Sequence, residues 1–139
     1  MYEFEITSNL AQSEYELISH SVTEHGRMFA SDGNAQPIAC LVRRNGKIIG
    51  GATGRTEYDR LFVNYLWVRE DERLNGAGSS ILIALEKAAL GRDCKDALIE
   101  AVLDDAARFY LKQGYEHLAK VPNYVGSFTK HILVKSLKK

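Results

Sequence analysis

The sequence predicts an α/β domain over residues 1–139, a mixed, mostly antiparallel twisted sheet flanked by helices in the order β-α-β-β-β-α-β-α-β-β. Three observations predict it. Residues 37–44 and 47–56 read as strands around Asn45-Gly46, a pair that tolerates positive φ at both positions and so marks a tight hairpin. Residues 64–90 read as strand, turn and helix in succession. Residues 104–137 read as a short helix and two closing strands, so hairpins dominate both ends and a strand-helix-strand unit the centre.

In chain order, residues 2–7 alternate as a short strand, with Tyr2, Phe4 and Ile6 on one face. Residues 11–29 turn helical: Tyr15, Ile18 and Val22 recur at helical spacing, as do Leu17 and Ser21, and Ser31-Asp32-Gly33-Asn34 follows as a polar loop. Gly50, Gly51 and Gly54 inside the second hairpin strand signal a close backbone approach or a bulge. A turn at Tyr58-Asp59-Arg60 leads to the aromatic and branched strand 61–68. In the next helix Ile81, Leu85, Ala88 and Ala89 share a face, and Gly91 supplies a stop. Residues 96–103 form an apolar strand interrupted by Glu100. Asp104 or Asp105 then caps a helix through Phe109 and Tyr110 that ends at Gly114. Strands 115–121 and 128–137 close the domain around a loop at 122–126.

Composition excludes several classes of function. Eighteen basic and 18 acidic side chains give no net charge, and the small basic groups Arg43-Arg44 and Lys138-Lys139 do not make the field that nucleic acid or an acidic membrane attracts. No apolar run approaches membrane-spanning length, and the acidic start Met-Tyr-Glu-Phe-Glu-Ile is unlike a signal peptide. Cys40 and Cys94 form no Cys-x-x-Cys and read as two buried reduced thiols of a cytoplasmic protein. His20, His25, His117 and His131 show no ligand spacing, and no metal is expected.

The join between the central strand and helix carries the chemistry. From Leu74 to Ser80 there is no acidic side chain, although a first helical turn ordinarily attracts one. Gly76 and Gly78 remove side chains that would keep a ligand off the main chain. An uncapped, unshielded helix start suits an anion such as pyrophosphate. A dinucleotide fingerprint fails here because Ile81 replaces its third glycine and seven residues separate Val68 from Gly76. A P-loop fails because Ser79-Ser80, not lysine, follows Gly78.

Arg73-Leu74-Asn75-Gly76-Ala77-Gly78 resembles the (Arg/Gln)-x-x-Gly-x-(Gly/Ala) signature of the GNAT superfamily of acyl-CoA-dependent N-acyltransferases, and Phe109-Tyr110-x-x-x-Gly114-Tyr115 is similar to its second block. The order of elements resembles that superfamily over essentially the whole chain. Two positions depart from it: Leu74 stands where glycine is common, and Asp104-Asp105 where uncharged residues often touch the coenzyme.

The resemblance implies that amides of Leu74, Asn75, Gly76, Ala77, Gly78 and Ser79 hold the pyrophosphate of acetyl-CoA, the cosubstrate, behind Arg73. It implies that Leu66, Trp67 and Val68 pair with the pantetheine arm, that this strand splays from strand 96–103, and that an amide of the 66–68 segment polarises the thioester. Tyr110 would act on the sulfur as general acid. Glu100, Glu57 and Tyr124 are candidate bases, and none is assigned. Trp67 reads as core rather than a substrate platform. The expected activity is acetyl transfer to a primary amine of a small molecule or peptide; the alternative is a non-catalytic acyl-CoA sensor. The acceptor pocket would draw on the first helix, strand 47–56 and residues 122–126, with Glu24, His25, Arg55, Glu57 and Tyr124 in reach. A homodimer burying the closing strands is an arrangement that such a sheet permits.

Overall fold

The computed structural model describes residues 1–28 and 34–138. The chain divides into two compact units, Met1–Gly33 and Asn34–Lys139. The first holds helix α1 (Gln12–Arg27), whose entry is held by the Glu14 carboxylate accepting the Ala11 N–H at 3.3 Å. His25 and Arg27 sit in its last turn, where cations favour the negative end of the helix dipole. Residues 2–7 are not a strand. Alternation of Tyr2, Phe4 and Ile6 defines two faces, but a strand needs a ladder, and no described strand pairs with these residues. In the expected polar loop at 31–34, residues 31–33 lie outside the described residues.

The second unit is a six-stranded mixed sheet with helices: β1 (Gln36–Arg44), β2 (Lys47–Glu57), β3 (Arg60–Val68), a single 3₁₀ turn (Glu70–Glu72), α2 (Ala77–Gly91), β4 (Asp96–Ala101), α3 (Asp104–Lys112), β5 (Glu116–Val125) and β6 (Phe128–Ser136). The strand order is β1-β2-β3-β4-β6-β5, and only β3 and β4 run parallel. Asn45 and Gly46, at φ 52° and 81°, make the expected tight hairpin. No helix among the described residues is long and apolar enough to cross a membrane.

Two features of the sheet create the site. Between Thr53 and Gly54 the β2–β3 register slips, so Thr53 pairs with Tyr65 and Gly54 with Val63, and Asn64 is bulged out. Glycine is needed there, since a Cβ on Gly54 would meet the Phe62 carbonyl oxygen at 2.2 Å. The parallel β3–β4 ladder is also short. It runs from Arg60↔Asp96, clamped by a two-pronged guanidinium–carboxylate contact of 2.7 and 3.0 Å, to Val63↔Ile99. Past the bulge the two strands part.

The core lies between one sheet face and α2: Leu61, Val63, Ala97, Ile99, Ala101 and Leu133 meet Ile81, Leu82, Leu85 and Ala89. Truncating the fully buried Leu82 to Ala costs about 2–5 kcal/mol by the usual cavity rule. The buried helical face is centred one residue away from the expected one: Leu82 and Glu86 face inward and Ala88 is exposed. Glu86 is admitted because the Tyr115 hydroxyl (2.7 Å) and the Lys135 ammonium (2.9 Å) both donate to it. Gly91 remains helical; the left-handed residue that ends α2 is Asp93 at φ 66°, with the Cys94 N–H reaching back to Ala89 O at 3.1 Å.

β4 stops at Ala101, and neither Asp104 nor Asp105 caps α3: the N-cap is Leu103, and both aspartates lie in the first turn. The expected loop 122–126 is mostly strand. Pro122 is tolerated because β5 is an edge strand, the register shifts between Val121 and Val125, and the chain turns at Gly126-Ser127. Cys94 is buried as expected, whereas Cys40 is only half-buried.

Candidate active site

The parting of β3 and β4 opens a cavity of about 660 Å³ lined by the end of β3, the start of α2 and one side of α3. Leu66, Trp67, Val68, Arg73, Leu74, Gly76, Ala77, Gly78, Ser79 and Tyr110 all line it, so ten of the eleven residues singled out in the sequence converge; Asn75 does not. Asp105, Ala106 and Phe109 complete the wall. Phe109 is signalled by its place beside Tyr110 in the second block; Asp105 reads in the sequence as a cap.

The loop before α2 faces its main chain outward. Leu74 has φ 68° and Gly76 φ 81°, both left-handed. For a leucine this costs on the order of 1–2 kcal/mol, which is why glycine suits that place better. The Arg73 N–H bonds to Glu70 O and the Ser80 N–H to Gly76 O. Between them, the six consecutive N–H groups of Leu74 to Ser79 have no acceptor among the described residues. Two of the three acids just upstream are paired, Asp71 with Arg69 at 2.5 Å and Glu72 with Arg44 at 3.0 Å, while Glu70 is exposed. Asp71 is consequently pushed below the usual carboxylate range by its bond to Arg69. The Ser79 hydroxyl donates to Gln113 Oε1 at 2.7 Å, which ties α2 to α3 and leaves the Ser79 amide uncommitted.

The edge of β3 has a definite polarity. Arg69 N–H bonds to Ile49 O at 2.8 Å, and in this register Trp67 lies opposite Gly51. Alternation then directs the Trp67 main chain toward β2 and the N–H and C=O of Leu66 and Val68 toward the gap that β4 has left. The Val68 carbonyl is occupied, since Arg73 Nε donates to it at 2.8 Å. Trp67 is not core: its ring is half exposed.

Tyr110 arrives through the way α3 ends. Gly114 adopts φ 97°, its N–H bonds to Leu111 O, and the Tyr115 N–H bonds to Tyr110 O, both at 3.1 Å. This is a Schellman ending, and the Tyr110 and Tyr115 rings pack 5.9 Å apart as its apolar contact. The spacing Tyr-x-x-x-Gly-Tyr is thus a helix stop that fixes Tyr110. Both tyrosines are buried, but Tyr115 is bonded to Glu86, whereas Tyr110 lines the cavity and its hydroxyl bonds to no described residue. Burial pushes the Tyr110 phenol above its ordinary value.

The candidate bases stand apart from this cavity. Glu100 pairs with Lys130 at 3.0 Å, Glu57 with Arg55 at 3.1 Å, and Tyr124 lies under the Lys130 ammonium at 4.7 Å. Asp104 bonds to His131 at 2.7 Å, and His131 to His117 at 2.9 Å; Asp105 pairs with Arg108.

Residues 4–115 match the model of the Acetyltransferase (GNAT) family. A blasticidin-S acetyltransferase of Streptomyces morookaense is 33% identical over 93 residues, covering 66% of this chain and 68% of its own. An acetyltransferase from Bacillus cereus ATCC 14579 has a TM-score of 0.87 at 26% identity, over 95% of this chain and 97% of its own. An aminoglycoside 6'-N-acetyltransferase complexed with coenzyme A shares the fold at a TM-score of 0.68 and 16% identity, over 93% of this chain and 82% of its own.

Proposed function

The chain belongs to the acetyltransferase (GNAT) family and is an N-acyltransferase, and on that premise we propose that it moves an acetyl group from acetyl-CoA to a primary amine by direct attack. The observation that carries this reading is the run of six amides, Leu74 to Ser79, without an acceptor among the described residues, all but Asn75 belonging to residues that line the cavity together with Tyr110. Such a run presents an anion with donors and the positive end of α2 without a charged side chain. Arg73, fixed through Nε, still has its terminal nitrogens to offer.

Acetyl-CoA supplies a thioester already activated toward amines. The chain's part is to hold it, polarise it and receive the departing sulfur. The N–H of Leu66 or Val68, aimed into the gap, is the donor available to the thioester oxygen. Tyr110 stays protonated across the neutral range. A phenol near 10 cannot fully protonate a thiolate near 8.5, and burial raises it further, so its contribution is a hydrogen bond to the sulfur. No enzyme nucleophile is invoked, and the Cys94 thiol is buried and pushed up by that burial. The blasticidin-S relative acts, by its name, on a small molecule, which favours a small-molecule acceptor over a peptide.

Acetyl-CoA incubated with a panel of small amines tests the reading. We expect release of free thiol and an acetylated amine of matching mass. Coenzyme binding without release above hydrolysis would make the protein a sensor instead.

A further inference from the structure

The sheet face away from α2 carries a second recess of about 460 Å³, at the point where β3 and β4 part. Val63 and Ile99 are the last paired residues, and Asn64 and Glu100, the next ones, both line this recess. It therefore meets the same gap as the coenzyme cavity, from the other face of the sheet. Its walls carry opposite charges. Glu100 stands at the gap end, held by Lys130 at 3.0 Å. Arg55 stands at the far end, its guanidinium carbon over the Phe62 ring, 4.0 Å from the centroid. Glu57 engages only its Nε, so the terminal nitrogens bond to no other described residue.

A guanidinium held over an aromatic ring with its terminal nitrogens bonded to no other described residue can take a carboxylate by two parallel hydrogen bonds. The register fixes the scale. Arg55 pairs with Phe62 and Phe62 with Leu98, so Glu100 lies two strands across and two residues along, about 12 Å between main chains from standard sheet spacings. The reacting amine must reach the gap, so the anionic end falls toward Arg55. We propose that this recess holds the acceptor, and that the acceptor is an amine bearing a carboxylate several bonds from its nitrogen, selected by Arg55.

This rests on the acyl-transfer reading, and the test separates the two. Acceptors are compared in matched pairs, 5-aminopentanoate against pentylamine and 4-aminobutyrate against butylamine, with wild-type protein and Arg55→Gln, coenzyme affinity serving as the check of folding. Wild type should favour the carboxylated member in kcat/KM by about 10- to 100-fold, the size of one charge-assisted contact, and Arg55→Gln should bring that ratio close to one through KM. No preference in wild type, or one that survives in Arg55→Gln, overturns the proposal while acyl transfer stands. If no amine is acetylated, acyl transfer fails, and calorimetry on coenzyme-loaded protein decides the recess alone. 5-Aminopentanoate binding that Arg55→Gln loses supports the Arg55 site; equal binding by both proteins, or by neither, refutes it.

Discussion

The starts of α2 and α3 face the same cavity, and neither has a side-chain cap. They differ in charge. α3 opens with Asp104 and Asp105, whose carboxylates offset the positive end of the helix. α2 opens with Gly76, Ala77, Gly78 and Ser79, and two of the three acids that precede it, Asp71 and Glu72, are bound to Arg69 and Arg44. Two uncapped helix starts on one cavity thus differ in the charge of their first turns. What distinguishes α2 is that its own first turn carries no acid and that a left-handed turn through Leu74 and Gly76 leaves six amides without an acceptor among the described residues.

The comparison breaks most severely if the left-handed turn is lost. Gly76→Val forces a β-branched residue to φ 81° and places side-chain atoms over the amides, though no packed atom lies within 4 Å of the new Cβ. Coenzyme affinity should fall at least about 100-fold by calorimetry, the equivalent of losing two charge-assisted contacts, with helical circular dichroism kept. Tyr110→Phe tests the other end of the cavity: kcat should drop by about 10- to 10⁴-fold, the range for a positioned acid, with coenzyme affinity kept. An unchanged kcat removes Tyr110 from the chemistry.

Exchanging the charges of the two helix starts sharpens the contrast at smaller scale. Ala77→Asp gives α2 the acid that α3 has, and should weaken coenzyme binding by roughly 10-fold. Asp105→Asn should strengthen it by about 2- to 5-fold. If both changes leave affinity untouched, the charge difference is incidental.

The smallest effect belongs to the tether of α3, where His117 bonds to His131 and His131 to Asp104. Partial desolvation, then Lys120 and His131, push His117 below its ordinary value. A base whose folded value is lowered stabilises the fold above its unfolded value of about 6.5 and loses that contribution as pH falls. Wild type should therefore lose Tm more steeply than His117→Gln between about pH 6.5 and 5; parallel curves would show that this contact carries no pH dependence.

Much of this was legible in the sequence. Asn45-Gly46 dictated its hairpin because both residues need positive φ. The acid-free turn marked α2, and Gly114 fixed where α3 stops, because these are local rules of charge and backbone shape. Long-range pairing was not legible. Residues 2–7 alternate as a strand would, yet nothing in their pattern says whether a neighbour exists. Pro122 reads as a loop until β5 is known to be an edge. Asp104 and Asp105 resemble caps because their true partner, His131 for Asp104, is 27 residues away. The strand polarity that turns Leu66 and Val68, but not Trp67, toward the gap depends on a bulge whose position needs both strands. The recess at Arg55 is likewise assembled from β2, β3 and β4 and has no contiguous signature.

The main-chain grip is tested most directly by following the backbone amide resonances of Leu74 to Ser79 while titrating labelled protein with coenzyme A, ADP and pantetheine. Coenzyme A and ADP, which carry the pyrophosphate, should move the amides of Gly76 to Ser79 markedly, and pantetheine only resonances near Leu66, Val68 and Tyr110. Saturable coenzyme binding that leaves the Gly76 to Ser79 amides in place would contradict the main-chain grip.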